Sequence, residues 1–487
     1  MNKSKITIKT LLNSSSFFIY MAGKNKVLIG LEIHGYIETK EKLFCNCKNH
    51  HNMKKIKPNT NICPVCTGQP GSKPMLPNFS AINKILQISL MLKCKPNLID
   101  EKKPIFFQRK HYDWPDMPSG YQRTISGAHS LPVAENGEFL GVRIREVHLE
   151  EDPAAWNPEK GTVDYNRAGV PLVEIVTEPD LKSKEETQNW LKQLILTLSY
   201  VKALNKDAGI KADVNVNIEG ISKRVEIKNV NSIDEIGKAI EYEIQRHIKE
   251  NPKIPETRRW NTIKEKTELM RTKEGQHDYR FIPDPDLPVI KITKKRVSEI
   301  KKSLPESPIE KLNNIIKKYK IDKTNAEILI QNIDIAGLYE KVIQNKNIDP
   351  KFALPWITVE WFSVLNYNKK SMDEINLNPE HIAELLILLK NNKITPLKAK
   401  EILRKFIPNS FSPKQEAEKS KKIINKEELR KIIKNILKDN QNKKSIEDYK
   451  SGETKALNFL MGQVMQKTNK QADFNIAKSI LEEELKR

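Results

Sequence analysis

Val27-Leu28-Ile29-Gly30-Leu31-Glu32-Ile33-His34 reads as a β-strand, apolar at first and alternating after Gly30. Glu32 and His34 are two apart, so their side chains point to the same face of whatever sheet the strand joins. Similar runs follow. Val142-Arg143-Ile144-Arg145-Glu146-Val147-His148-Leu149 largely alternates, as does Val214-Asn215-Val216-Asn217-Ile218, with Val225-Glu226-Ile227 after a Gly-containing turn. Helical patterns intervene at Ser80 to Lys93, Ser183 to Leu204 and Ser232 to Lys249, the second opening on a Ser183/Glu186 capping box. Strands mixed irregularly with helices predict an α+β domain rather than a regular βα repeat.

Beyond about Ile300 glycine becomes scarce and helical periodicity runs through Pro308 to Lys320, Asn325 to Asn345, Asn378 to Asn391 and Pro396 to Phe406. A Pro- and Ser-containing linker from Ile407 to Lys414 leads into a last helical stretch, and from Ser412 on the chain carries 18 Lys and Arg against 12 Asp and Glu. The expected organisation is a disordered extension over 1–22, a cradle domain of mixed and antiparallel sheet over 23–295, a helical domain over 296–411 and a small all-helical tail module over 412–487. In the extension, Lys3, Lys5 and Lys9 stand without an acid and Ser14 to Ser16 interrupt the apolar stretch. That composition argues against a secretory signal; an organelle transit peptide is the lesser alternative, and Met21 offers a second start.

The 487 residues suffice for two to four domains. No apolar run is long enough to span a membrane, so no membrane partner is expected. With 18 glycines and five cysteines, collagen-like and disulfide-scaffold chains are excluded. A formal charge of +22 favours a polyanionic partner such as nucleic acid over a merely solubilising surface.

Four of the five cysteines fall close together: Cys45-Asn46-Cys47, then Cys63-Pro64-Val65-Cys66, with Cys94 alone. Two close pairs supply the four thiolates of a structural Zn²⁺ site, with His50 or His51 able to replace one; reduced, metal-free thiols are the alternative. Glu32, His34, Glu150, Glu151, Asp152, Asp164 and Glu174 sit on or beside strands. Together they would suit a hard cation such as Mg²⁺, and separately they are solvated acids. Polar segments at Gln108 to Asp116, Glu226 to Ser232, Glu256 to Arg259 and Asp278 to Asp286 carry Arg and Lys able to hold phosphates or to make salt bridges. No Gly-x-x-x-x-Gly-Lys-Ser/Thr loop, no Gly-x-Gly-x-x-Gly, no serine amidase segment and no Cys/His nucleophile pair is present.

These motifs, in this order, resemble those of the B-type subunit of the aspartyl/glutamyl-tRNA amidotransferase, the GatB family. Gly30-Leu31-Glu32-Ile33-His34, Asn59-Thr60-Asn61 before Cys63, Arg109-Lys110-His111-Tyr112, His148 to Asp152 and Asp164 to Val176 carry the likeness. Lys228 to Ser232, Glu256-Thr257-Arg258, Asp278 to Phe281 and Lys455 to Met465 continue it, so that it covers Val27 to Arg487. The resemblance implies a ligase in which ATP and Mg²⁺ phosphorylate the side-chain carboxyl of Glu-tRNA(Gln) or Asp-tRNA(Asn). Ammonia from a separate A-type glutaminase (amidase) subunit, accompanied by a small C-type subunit, then gives Gln-tRNA(Gln) or Asn-tRNA(Asn). It implies a cytoplasmic, heteromeric translation enzyme that binds misacylated tRNA through its tail.

Carried over by position, Glu32, His34, Glu151 and Glu174 are the expected catalytic Mg²⁺ ligands, with Glu150, Asp164 and Asp213 as secondary candidates. Lys228, Arg258 and Arg280 are the expected phosphate or nucleotide contacts, and Cys45, Cys47, Cys63 and Cys66 the expected zinc ligands. The sequence departs from the family pattern at Gly35-Tyr36 and at Pro153-Ala154-Ala155-Trp156, where relatives commonly carry a lysine. If that lysine binds nucleotide, Lys160 or another group must replace it. The related GatE family carries an inserted domain for which this chain has no room. Two rival readings are an enzyme of this fold that no longer acts on tRNA, and a non-catalytic RNA-binding module.

Overall fold

The computed structural model describes residues 26–50, 56–99, 104–111, 114–204, 210–272, 280–418 and 426–486. The expected extension over 1–22, His51, Tyr112, Asp113, Asp278 and Tyr279 lie outside them. The chain divides into two compact units at Pro308/Ile309.

The first unit is α+β. Its strands are β1 (Val27–Tyr36), β2 (Lys95–Pro96), β3 (Gln108–His111), β4 (Tyr121–Thr124), β5 (Ala134–Phe139), β6 (Val142–Glu151), β7 (Ala155–Asn157) and β8 (Thr162–Asp164). There follow β9 (Pro171–Thr177), β10 (Ile210–Ile218), β11 (Val225–Val230), β12 (Glu256–Asn261), β13 (Lys266–Thr272) and β14 (Ile282–Pro283). Twelve of them form one sheet in the order β13-β12-β11-β10-β1-β9-β6-β4-β3-β14, with β5 on β6 and β2 on β5; β7 and β8 make a separate hairpin. All pairings are antiparallel except β11 with β12.

One face of this sheet is apolar. Leu31, Ile33, Val147, Leu149, Val173, Ile175, Val214 and Ile227 are buried together in the core. Three helices supply the rest of that core: α1 (Phe79–Met91), α2 (Lys184–Tyr200) and α3 (Ile233–Glu250). Ile82, Ile85, Trp190, Leu194, Ile236 and Ile240 are their contributions. Each helix starts on a side-chain cap. The Asn78 carboxamide accepts from Ser80 and Ala81, and the Ser183 and Ser232 hydroxyls accept from Glu186 and Glu235. The reciprocal half of the expected capping box differs: Glu186 takes the Lys182 N–H, not that of Ser183, at 2.9 Å. A fourth helix, α4 (Lys294–Ser303), completes the unit.

The second unit is all helical. It comprises α5 (Pro308–Tyr319), α6 (Lys323–Ile330), α7 (Ile333–Ile343), α8 (Pro350–Pro355), α9 (Phe362–Asn368), α10 (Pro379–Lys390), α11 (Pro396–Arg404) and α12 (Lys414–Glu418). Then come α13 (Lys426–Lys438), α14 (Lys443–Lys450), α15 (Thr454–Lys467) and α16 (Phe474–Lys486). The periodic run Asn325 to Asn345 is two helices, because the Asn332 side chain caps Asp334 and Ile335 and restarts the chain. Pro355 removes one backbone donor, and a wider π-type turn spans Trp356–Trp361 between α8 and α9. In the last part, Leu429, Ile433 and Ile436 form one stripe of α13, packed with Leu460, Val464, Ile480 and Leu481. No helix among the described residues is long and apolar enough to cross a membrane.

Candidate active centre

Because side chains alternate across a strand, the polar positions between the core residues all emerge on the opposite face. Register brings them together. Glu32 of β1 lies opposite Asp213 of β10, and His34 opposite Glu174 of β9, which is itself opposite His148 of β6. Glu150 follows His148 on the same face, and Glu226 of β11 sits opposite Asn215 of β10.

Two groups result. In the first, single ligand atoms of His34, Glu150 and Glu174 lie within 4.8 Å of one another; in the second, those of Glu32, Asp213 and Glu226 do. His34 Nε2 stands 3.5 Å from Glu174 Oε1. Burial opposes a charged imidazole, but the Glu174 carboxylate outweighs it and holds His34 up to about 9. Burial likewise works against the Glu174 carboxylate, and the partner imidazolium pulls it down to about 2. Glu150 is held by Thr124 Oγ1 at 2.7 Å and Gln122 Nε2 at 3.2 Å, both from β4. In the second group, the Lys228 ammonium lies 2.5 Å from both Asp213 and Glu226. Burial pushes the Glu32 carboxyl up, Lys228 pulls it back, and the neighbouring Glu174, Glu226 and Asp213 push it further up. The first group, two carboxylates and an imidazole, and the second, three carboxylates, each could hold a hard divalent cation.

Four sequence expectations are placed differently. Glu151 does not join Glu32, His34 and Glu174. It shares parity with Val147 and Leu149, so it points to the core side, where its carboxylate accepts the Arg123 N–H at 2.8 Å and pairs with the guanidinium at 3.3 Å. Arg123 and Arg109 in turn each lie 3.0 Å from Asp284. Burial raises the Glu151 pKa against the pull of Arg123. The acid that reaches the cluster is Glu150, expected only as a secondary candidate. Arg258 is opposite Ile227 and so faces the core side. There it bonds Thr267 at 2.8 Å and Glu256 at 2.9 Å, beside Glu243 of α3 at 3.5 Å. Asp164 is a loop staple, accepting the N–H groups of Asn59 and Asn166 at 3.0 Å. Arg280 sits by the β3–β14 edge with an exposed side chain, its carbonyl 3.0 Å from His111 Nδ1. Lys228 and Asp213 do reach the polar face. Glu226 was read only as part of a polar segment; its alternation with Lys228 along β11 was the available signal.

The four clustered cysteines converge as well. Sulfurs of Cys45, Cys47, Cys63 and Cys66 lie within 4.8 Å of one another, and Cys66 Sγ is 4.0 Å from Cys47 Sγ. A tetrahedral zinc with bonds of about 2.3 Å separates its sulfurs by about 3.8 Å, so the set fits. His50 is not part of it. The Cys45 hydrogen bond takes the Cys66 thiol down to about 4, and the Lys42 ammonium adds to the effect. Lys42, which sequence reading missed, is almost fully buried, and its ammonium donates to the carbonyls of Asn61 and Tyr165 at 3.2 and 3.3 Å. All five cysteines are unpaired.

A sheet that gathers acids, an imidazole and a lysine on one face, followed by an all-helical unit, defines the class: the chain belongs to the GatB family. Residues 27–298 match the GatB/GatE catalytic domain, and residues 337–485 match the GatB domain. Among curated proteins it is similar to the B-type subunit of the aspartyl/glutamyl-tRNA(Asn/Gln) amidotransferase of Methanocaldococcus jannaschii. The two are 43% identical over 474 residues, which is 94% of this chain and 98% of the relative. The corresponding proteins of Methanopyrus kandleri (41% identical, 94% of this chain, 98% of the relative) and Methanobrevibacter smithii (43%, 94% and 100%), which bear the same name, are similar in the same way.

Proposed function

We propose that the chain is the component of a tRNA-dependent amidotransferase that activates and amidates the side-chain carboxyl of Glu-tRNA(Gln), Asp-tRNA(Asn) or both. The observation that carries this is the convergence of His34, Glu150 and Glu174 beside Glu32, Asp213 and Glu226, in a chain similar along nearly its whole length to proteins of that name. A carboxylate oxygen of the substrate attacks the γ-phosphorus of ATP and ADP leaves. Ammonia then attacks the acyl carbon, the C–O bond breaks and inorganic phosphate departs, leaving Gln-tRNA(Gln) or Asn-tRNA(Asn).

His34, Glu150 and Glu174 would hold Mg²⁺, and Glu32, Asp213 and Glu226 are the donors of the neighbouring position. A bound divalent cation supplies charge neutralisation for phosphoryl transfer. The protein's own part is positioning. Thr124 and Gln122 fix the Glu150 carboxylate, and the Lys228 ammonium bridges Asp213 and Glu226 and fixes their separation. The four thiols would bind zinc with no position left open, in a structural role.

The ammonia comes from the separate A-type glutaminase, with the small C-type component in the same assembly, and the +22 charge suits a tRNA partner. The helices beyond residue 412 are the module that grips the tRNA. Free thiols suit a reducing cytoplasm. A purely RNA-binding module is disfavoured, because an uncompensated acidic face repels phosphate. The test is transamidation by the purified protein with its amidase partner, given Glu-tRNA(Gln) or Asp-tRNA(Asn), ATP, Mg²⁺ and ammonium. Appearance of Gln or Asn on the tRNA is the expected result. Bound tRNA with no amide formed would return the reading to a binding module.

A further inference from the structure

Two tryptophans of the first unit stand in the open. Trp114 is 51% exposed and Trp156 36%, and their rings meet edge to face with centroids 5.5 Å apart. Indole rings are highly buried on average, so an exposed pair calls for a reason. Its setting supplies one. Trp156 belongs to the β7–β8 hairpin, which leaves β6 directly after Glu150 and Glu151; Trp114 lies between β3 and β4. Backbone ties hold the two segments together and to the polar face. Ala154 donates to the Asp116 carbonyl at 2.8 Å. The Arg167 guanidinium bonds the carbonyls of Pro153 and Ala154 at 2.9 and 2.8 Å and pairs with Asp152 at 2.9 Å. Tyr36 reaches that same Asp152 and Arg167 from β1, two residues beyond His34. Lys211 of β10 lies opposite His34. The aromatic pair is thus joined to the His34, Glu150 and Glu174 group by a stretch that carries two half-buried cations, Arg167, paired with Asp152, and Lys211.

We propose that Trp114 and Trp156 form the seat for the adenine ring of ATP, with the polyphosphate running past Arg167 and Lys211 to the cation held by His34, Glu150 and Glu174. The inference rests on the ATP-dependent activation proposed above. The layout matches a nucleoside triphosphate: an aromatic seat at one end, positive charge between, and a donor set for a divalent cation at the other. The terminal adenosine of a charged tRNA fits it less well. No phosphate lies between its base and the amino-acid side chain, so the stretch beside Arg167 and Lys211 would receive no polyphosphate.

The experiment uses the full chain in complex with its amidase partner and ammonium as nitrogen donor. Steady-state constants for ATP and for charged tRNA are measured on the wild type, Trp156→Ala, Trp156→Phe and the double variant Trp114→Ala/Trp156→Ala. In parallel, quenching of indole fluorescence by Mg-ATP is followed in the wild type and in Trp114→Phe/Trp156→Phe. Loss of one base-stacking partner is expected to raise the KM for ATP between about fivefold and about 150-fold. kcat at saturating ATP should fall far less, Trp156→Phe should recover most of the effect, and quenching should vanish in the double Phe variant. An unchanged KM for ATP in the double Ala variant overturns the proposal. So does a rise confined to the KM for tRNA, which would give the seat to the terminal adenosine. If the wild type forms no amide but ATP quenches these indoles, the seat stands and the amidotransferase reading falls; absence of both removes both.

Discussion

The sharpest consequence of the sheet's parity is that two adjacent glutamates should fail in opposite ways. In Glu150→Gln the side chain keeps its shape and the carboxamide oxygen can still accept from Thr124, now at 2.7 Å. One anion is lost beside Glu174, but the new amino group faces the Gln122 Nε2 donor, so the change in unfolding free energy should be about 1–2 kcal/mol. Catalysis should suffer far more. Groups that only orient a metal ligand are worth about 10- to 100-fold, so removing a ligand charge should cost transamidation more than about 100-fold. Glu151→Gln reverses the pattern. Its carboxylate binds the Arg123 N–H at 2.8 Å and the guanidinium at 3.3 Å inside the protein. Hydrogen bonds to charged groups are worth about 1.5–3 kcal/mol, so a stability loss of that size is expected, while Asp284 still pairs Arg123. Turnover of the folded Glu151→Gln enzyme at saturating ATP and Mg²⁺ should remain close to wild type. Thermal denaturation and single-turnover transamidation on both variants decide the matter. An inactive Glu151→Gln enzyme of normal stability, next to an active Glu150→Gln enzyme, would refute the parity argument and return the ligand role to Glu151.

Zinc analysis of purified protein should find one ion per chain; Cys63→Ser should lose it and lower Tm by several degrees, and equal Tm values with and without chelator would exclude a structural metal. Lys228→Met leaves Glu32, Asp213 and Glu226 without their ammonium, so it should destabilise the chain by roughly 3–5 kcal/mol at neutral pH, and added Mg²⁺ should restore part of the loss. A pH series should isolate Glu243. Burial works to raise its pKa, but His247 and Arg246 outweigh it and hold the carboxylate below the usual range. The unfolded chain, protonating near about 4.3, takes up that proton first, so the stabilisation is complete above that pH and is lost as pH falls through the native pKa. The Tm gap between wild type and Glu243→Gln should therefore be widest at neutral pH and close in acid; a gap independent of pH would contradict the assignment.

Much of this was legible in the chain because period-two alternation is local. Leu31 and Ile33 against Glu32 and His34 give the face of β1 outright, and the same count on β6 puts Glu150 with His148 and Glu151 with Leu149. Glu151 was carried over by motif position, and although Glu150 and Glu151 must face opposite sides of a strand, the motif alone did not say which of the two shares the face of His34. Glu226 and Lys228 alternate on β11 in the same way, yet their meeting with Asp213 depends on which strand β11 pairs with, and pairing is a long-range property. Arg258 and Asp164 were polar residues within specific motifs, and only the folded chain reveals that Glu243 and Thr267 surround one and the backbone of Asn59 and Asn166 the other. Lys42 had no sequence signal at all, because a buried lysine is recognised by the carbonyls around it. The convergence of Cys45, Cys47, Cys63 and Cys66 was legible since their spacing in the sequence is itself the constraint.

Strand β1 is hydrogen-bonded on both sides, to β10 from Val27 to Gly35 and to β9 from Glu32 to Tyr36. That arrangement divides the changes such a gene can survive into two unequal kinds. Exchange of one side chain on β1 alters a single position. Insertion or deletion of one codon turns every later residue of the strand over, drives Glu32 and His34 toward the space filled by Leu31 and Ile33, and brings those two out among the acids. Both neighbours would have to slip together to absorb it. The strand should therefore drift by substitution alone, its length fixed, while loops such as the β7–β8 turn remain free to grow and shrink.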